Sequence, residues 1–332
     1  MRAPRDASVR AVSTGAIDLR EGGRWTLAQR AKNDLLWALV WSAVHTIGRL
    51  PPRALRACGV AIGRLAHAIV PSARRVADAN VALALPELGA AERSALVAKT
   101  YRTLGGYLGE AVAMLDPRRA TSLLPYAEGA RETLDAAIAE GNGVVFASGH
   151  LGPWERVAAT VVASGVAFTA VTREAYDPRI TGLYDRLRNA RGLRTIHRGG
   201  RGAGASLLRV LRRGEVLAIP MDLASRVPSI EVPFLGHPAK TPVGPARLAL
   251  RTRAAVVVGL PVAARSGELE LAITRIDTSD LAGARTGRAA DGARARELTT
   301  RINDVLSAHI RALPDAWVWM HPRWAVTSIT TL

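Results

Sequence analysis

Cysteine is almost missing from this chain: Cys58 is the only one in 332 residues. That excludes a disulfide framework and a cysteine-rich metal site, and it fits a reducing compartment. Cys58 lies among apolar residues and reads as packing, not as a nucleophile. Lysine is scarce as well. Lys32, Lys99 and Lys240 are the only lysines, so a formal charge of +17 and a pI of about 11.3 rest almost wholly on arginine. Aromatic residues make up only 5% of the chain. The first arginines are followed by no short-range apolar core, so a secretory signal is not expected. The uncharged run from Leu35 to Gly48 is short. As a helix it would cover ~21 Å, against ~30 Å for a bilayer's hydrocarbon core. Gly-x-Ser-x-Gly does not occur, so the serine of an α/β-hydrolase is not supported. Gly199-Gly200-Arg201-Gly202 could hold an anion at a helix start, but it matches neither the dinucleotide fingerprint nor the P-loop.

What is present is apolar and basic. Hydrophobic residues are 48% of the chain, ample for one large α/β core with an appended segment or for two domains. The charge implies a polyanionic partner, such as nucleic acid, an anionic membrane surface, or an acidic carrier or substrate. A bias of genome base composition toward arginine would produce the same excess. Residues 1–24 are Arg-rich and without apolar periodicity and are expected to be a disordered basic tail. Residues 25–71 read as a helical segment whose uncharged run is flanked by Arg30 and Lys32 before and Arg49, Arg53 and Arg56 after, with Trp37 and Trp41 one turn apart, suited to lying in or dipping into a membrane surface. An ordinary buried helix is the plainer reading.

Residues 72–326 read as one α/β domain. Helices are expected at 71–85, 90–115 and 129–140, the second with Leu96, Val97, Leu104, Leu108, Val112 and Leu115 along one side. Strands at 143–147, 166–172, 194–197, 215–220, 255–262 and 268–276 alternate with helices, so a mostly parallel central sheet flanked by helices follows. Residues 227–234 read as extended with a turn at Gly236, and 242–251 as a helix. Residues 278–296 read as a Gly/Ala/Arg-rich loop before a helix at 297–313.

The chemistry is expected around GVVFASGHLGPWE at 143–155. A buried strand breaks at Ser148-Gly149 and presents His150. Pro153 suits a first helical position and puts Glu155 in the first turn. His150 and Glu155 therefore read as a base and its orienter. Asp222 follows the strand at 215–220 and Arg173 the strand at 166–172. Parallel strands would bring His150, Asp222 and Arg173 to one sheet edge, where open α/β sheets bind ligands. A neutral histidine beside a carboxylate can take a proton from a substrate hydroxyl, and an arginine such as Arg188 could bind phosphate or an oxyanion. Each has a plainer reading: a structural or solvated histidine, a turn or cap aspartate, one arginine among several on a solvated helix. His150 and Glu155 lack the i, i+4 spacing of a helical metal site, so no metal is expected. Helix-turn-helix spacing, zinc ligands and an aromatic-rich RNA-binding strand are missing, so no nucleic acid is expected.

Over about residues 30–325 the ordered motifs resemble the bacterial lipid A lauroyl/myristoyl acyltransferases, relatives of the phosphatidylinositol mannoside acyltransferases. The His-x4-Asp/Glu motif is GHLGPWE. The arginine motif falls at Arg188-Asn189 in YDRLRNARG. LRRGEVLAIPMD ends at Asp222, and PFLGHPAKTPVG and WVWMHPRW supply the later segments. Leu223 and Pro322 depart from the family pattern. The resemblance implies a glycerolphosphate-acyltransferase-like fold with N-terminal membrane-associated helices at the cytoplasmic face of the inner membrane. It implies direct acyl transfer, without cofactor or acyl-enzyme, from acyl carrier protein or acyl-CoA to a hydroxyl of a membrane glycolipid. By that likeness His150 is the general base, Glu155 or Asp222 holds its ring, and Arg188, with Asn189 and Arg173, binds substrate.

Overall fold

A computed structural model describes residues 24–114, 116, 122–200, 202–281 and 287–324. The expected disordered tail therefore lies, but for Arg24, outside the described residues. The frame is a six-stranded sheet in the order β3-β2-β4-β1-β7-β8. Its strands are β1 (Val144–Ser148), β2 (Phe168–Thr172), β3 (Arg194–His197), β4 (Val216–Pro220), β7 (Ala255–Ala263) and β8 (Leu269–Arg275). All neighbours pair in parallel except β7 and β8.

Alternation in the strands decides which layer each residue feeds, because successive side chains point to opposite faces. Val145, Ala147, Leu217, Ile219, Val256 and Val258 enter one core. That core is shared with α3 (Pro71–Ala84), α4 (Ala90–Ala113), α8 (Ala203–Arg212), α9 (Gly244–Thr252) and α10 (Arg288–Ala312). Val144, Phe146, Val216, Ala218, Ala255 and Val257 enter the other, against α5 (Ala130–Ala139) and α6 (Trp154–Ala163). Both faces are covered, which is why these strands are near-continuous runs of Val, Ile, Leu, Ala and Phe. β1 is central and buried over Val144–Ala147.

The N-terminal helices are α1 (Leu27–His45) and α2 (Pro52–Ile69). α2 crosses α4 at backbone contact distance: a Cβ on Gly59 would sit 2.0 Å from the Gly105 carbonyl oxygen. The buried stripe of α4 includes Val97, Tyr101, Gly105 and Gly109; of the expected apolar side Val97 is buried, Leu96 packs against the core, Leu108 is exposed, and Leu115 lies outside the described residues. Small residues won that face because they let two backbones approach closely. α1 begins with a capping box from Thr26 and Gln29. Arg179 of α7 (Pro178–Ala190) anchors it, with Nη1 donating to Asp34 at 2.7 Å and its guanidinium over the Trp37 ring.

Two other expectations are corrected, and one strand is added. Cys58 is exposed, not packed inside. The stretch expected to be extended, with its turn at Gly236, is β5 (Ser229–Phe234), and it pairs in an antiparallel hairpin with an unexpected strand, β6 (His237–Pro242). β6 reads poorly as a strand because it carries two prolines, which only edge positions tolerate. α10 begins at Arg288, within the stretch assigned to a loop, since alanine and arginine are strong helix formers and outweigh Gly292.

Candidate active site

The carboxyl ends of β1, β2, β3 and β4 open into a cleft of about 960 Å³. His150, Glu155, Arg173, Arg188 and Asp222 all line it. Asn189 is exposed on α7 and is not among the lining residues.

The imidazole is held by Asp222, not by Glu155. Ser148 and Pro220 are register partners on β1 and β4, so the loops leaving the two strands start side by side. The His150 amide donates to Asp222 Oδ2 at 2.6 Å, and His150 Nδ1 lies 3.0 Å from Oδ1. The loop comes this close because position 149 is glycine: a Cβ there would stand 3.0 Å from Asp222 Cγ. Asp222 Oδ2 also accepts the indole N–H of Trp317 at 2.8 Å. A carboxylate on Nδ1 fixes the tautomer with the proton there, so Nε2 keeps its lone pair. The His150 side chain is one-third exposed to the cleft.

Electrostatics favour the pair. Burial works against the imidazolium, but the charge and hydrogen bond of Asp222 outweigh it, so the His150 pKa stands above its ordinary value. Arg198 pulls the other way, and Glu155 adds to Asp222. Burial alone would raise Asp222; the His150 charge and the hydrogen bonds from His150 and Trp317 hold it below the usual carboxylate value. Asp222 is thus a buried anion with every bond directed at the ring or at its support.

Glu155 sits in the first turn of α6, where the helix dipole favours an anion. It is paired with Arg188, whose Nη2 contacts Oε1 and whose Nε donates to Oε2 at 3.3 Å. Burial lowers the Arg188 pKa, but Glu155 outweighs it and the guanidinium stays charged. His150 also meets Trp154 edge to face at 5.4 Å between centroids.

The C-terminal WVWMHPRW segment is the wall behind Asp222. Trp317, Trp319 and Arg323 are fully buried. Asn80 of α3 donates to the carbonyls of Trp319 and His321, both at 2.8 Å. Leu151 bridges to Trp317, and the Gly152 amide donates to the Ala316 carbonyl at 2.9 Å. Arg323 donates to the Lys240 carbonyl and to Thr241 Oγ1, over the Phe234 ring, and burial holds its pKa down to about 10. Spacing gave no sign that Trp317 would reach Asp222, 95 positions away. His197, Arg198 and Arg226 also line the cleft and were not singled out from the sequence. The only available signal for His197 and Arg198 was their place at the end of an expected strand.

The site is an α/β sheet that carries a His–Asp pair at its carboxyl edge, the aspartate buried and the histidine open to the cleft. The chain belongs to the bacterial lipid A biosynthesis acyltransferase family, whose description matches residues 28–325. The family is one of acyltransferases. Among curated proteins it is similar to the phosphatidylinositol mannoside acyltransferases of two Mycobacterium tuberculosis strains, each 28% identical over 182 residues. That match covers 54% of this chain and 58% of each relative's length.

Proposed function

We propose that the protein is a membrane-associated O-acyltransferase that moves a fatty acyl chain from a thioester donor, acyl carrier protein or acyl-CoA, to a hydroxyl of a membrane glycolipid. The observation that carries this reading is His150 Nδ1 on buried Asp222, with the ring facing a cleft large enough for a lipid headgroup and a thioester. His150 Nε2 takes the acceptor hydroxyl proton as its oxygen attacks the thioester carbonyl carbon. The carbon–sulfur bond breaks, and the imidazolium returns the proton to the leaving thiolate. Asp222 stabilises the imidazolium between the two transfers. The transfer is direct: among the described residues no hydroxyl or thiol is hydrogen-bonded to His150. Arg188 holds Glu155 in place beside the reacting groups.

The acceptor is a glycolipid such as a lipid A precursor. The name of the two mycobacterial relatives favours a phosphatidylinositol mannoside as the second reading of the same reaction.

A membrane location at the cytoplasmic face of the inner membrane is part of the proposal. No single described helix is long and apolar enough to cross a membrane, although α2 and α3, bent by 92° at their junction, reach that length and composition together. Leu35, Leu39 and Trp41 of α1 and Ile62, Leu65 and Ile69 of α2 are each more than half exposed. The α2 set recurs at i, i+3 and i+7, one helix face, and suits insertion into a bilayer surface.

The test is mass spectrometry of membrane lipids from cells carrying His150→Ala in place of the native protein. The expected result is a glycolipid lighter by one acyl chain, with the variant folded and present at normal level. An unchanged lipid profile would overturn the assignment.

A further inference from the structure

The cleft holds more positive charge than its acids neutralise. Glu155 is paired with Arg188, Asp222 with His150, and Asp185 with His197. Arg173, Arg198 and Arg226 also line the cleft, and no carboxylate is placed against any of them among the described residues. Arg198 is half-buried and Arg173 and Arg226 are exposed where they line the cleft; like charges gathered in one cleft repel, and an anionic ligand would relieve that repulsion.

The fold places two of them deliberately. Thr172 and His197 are register partners at the ends of β2 and β3. Thr172 Oγ1 lies 3.0 Å from His197 Nδ1, and His197 Nε2 lies 2.8 Å from Asp185 Oδ2 on α7. The pairing continues one step further, with the Arg198 amide donating to the Thr172 carbonyl at 2.9 Å. Arg173 and Arg198 are the next residues of these two locked strand ends. The proximity is felt electrostatically: burial and then the Arg173 charge lower the Arg198 pKa. Arg226 comes from the loop after β4, the strand on the other side of β2.

We propose that Arg173 and Arg198, braced by the Thr172–His197–Asp185 chain and joined by Arg226, form a phosphate-binding subsite of the cleft. Two neighbouring guanidinium forks match the oxygens of a phosphate better than lysines would. The phosphate belongs either to the donor's phosphopantetheine arm or to the acceptor's headgroup. That choice rests on the acyl-transfer reading; the anion site itself does not.

Binding by the full chain is measured calorimetrically with two pairs of soluble probes: octanoyl-phosphopantetheine against octanoyl-pantetheine, and glycerophosphoinositol against inositol. Arg173→Gln/Arg198→Gln is expected to weaken one phosphate-bearing probe about ten- to a hundredfold more than its phosphate-free analogue. The donor pair responding assigns the phosphate to the donor, and the inositol pair responding assigns it to the acceptor. Arg173→Lys/Arg198→Lys should recover part of the loss. Arg226→Gln, on an exposed loop, should show the same selectivity at smaller size and serves if the double variant misfolds. Equal losses for both members of each pair, or no phosphate preference in the wild type, would overturn the subsite. Wild-type acyl transfer with that outcome would leave the enzyme assignment standing. Phosphate selectivity without acyl transfer would do the reverse.

Discussion

Asp222 accepts hydrogen bonds from the His150 amide, the His150 ring and the Trp317 indole, all from inside the protein. Trp317→Phe keeps the ring in the wall but removes one donor to a buried charge. Such a bond contributes about 1.5–3 kcal/mol, so kcat is expected to fall roughly ten- to a hundredfold. KM should change little, as the substituted atom faces Asp222. Steady-state kinetics with saturating donor check this. Glu155→Gln breaks a different contact, leaving Arg188 half-buried without its anion. A lower melting temperature and a smaller loss of kcat than in Asp222→Asn are expected. At this scale the sequence was informative about residue types and less so about partners. It singled out His150, Glu155, Asp222 and Arg188, all of which line the cleft; closeness along the chain paired His150 with Glu155, while the family resemblance left Glu155 or Asp222 open. The partner is 72 positions away, in a contact made by strand register, which no local spacing encodes.

Among the elements, the loop from β1 to α6 and the crossing of α2 with α4 both depend on missing side chains. Gly149→Ala would put a Cβ against the Asp222 carboxylate. Activity should fall steeply while the far-ultraviolet circular dichroism spectrum stays native. Gly105→Leu would drive a side chain into the backbone of α2. Overpacking of this kind costs about 1–3 kcal/mol or more, and a lowered melting temperature by calorimetry is expected. The strands and helices that form the sheet and its cover were legible because hydrophobic runs and glycine or proline boundaries mark them. The glycine face of α4 was not: periodicity looks for large apolar residues, whereas here the packing is made by their absence. β6 was hidden by its prolines and the start of α10 by its glycine-rich neighbourhood.

For the whole molecule, the carboxyl edge of the sheet gathers the cleft, while most of the exposed large apolar residues are on α1 and α2. The proposed membrane location rests on that second face. Full burial of each isoleucine or leucine side chain contributes about 1.5–3 kcal/mol. Ile62→Glu/Leu65→Glu should therefore reduce cosedimentation with anionic vesicles at least tenfold, leaving the melting temperature nearly unchanged because both residues are exposed. Vesicle binding equal to that of the wild type would count against docking through this face. Composition made the excess of arginine plain at this scale, but not its distribution: Arg173, Arg188, Arg198 and Arg226 come together at the cleft only through the fold.

The central claim is that His150 acts as a base whose proton affinity is set by Asp222, and the pH dependence of kcat/KM for acyl transfer tests it most directly. In the wild type the acidic limb should lie above 6.5, the ordinary histidine value, because Asp222 favours the imidazolium. In Asp222→Asn the anion is gone, so the limb should move to lower pH while the plateau falls about 10²–10⁴-fold. A limb that stays where it was, or a variant as active as the wild type, would contradict the account.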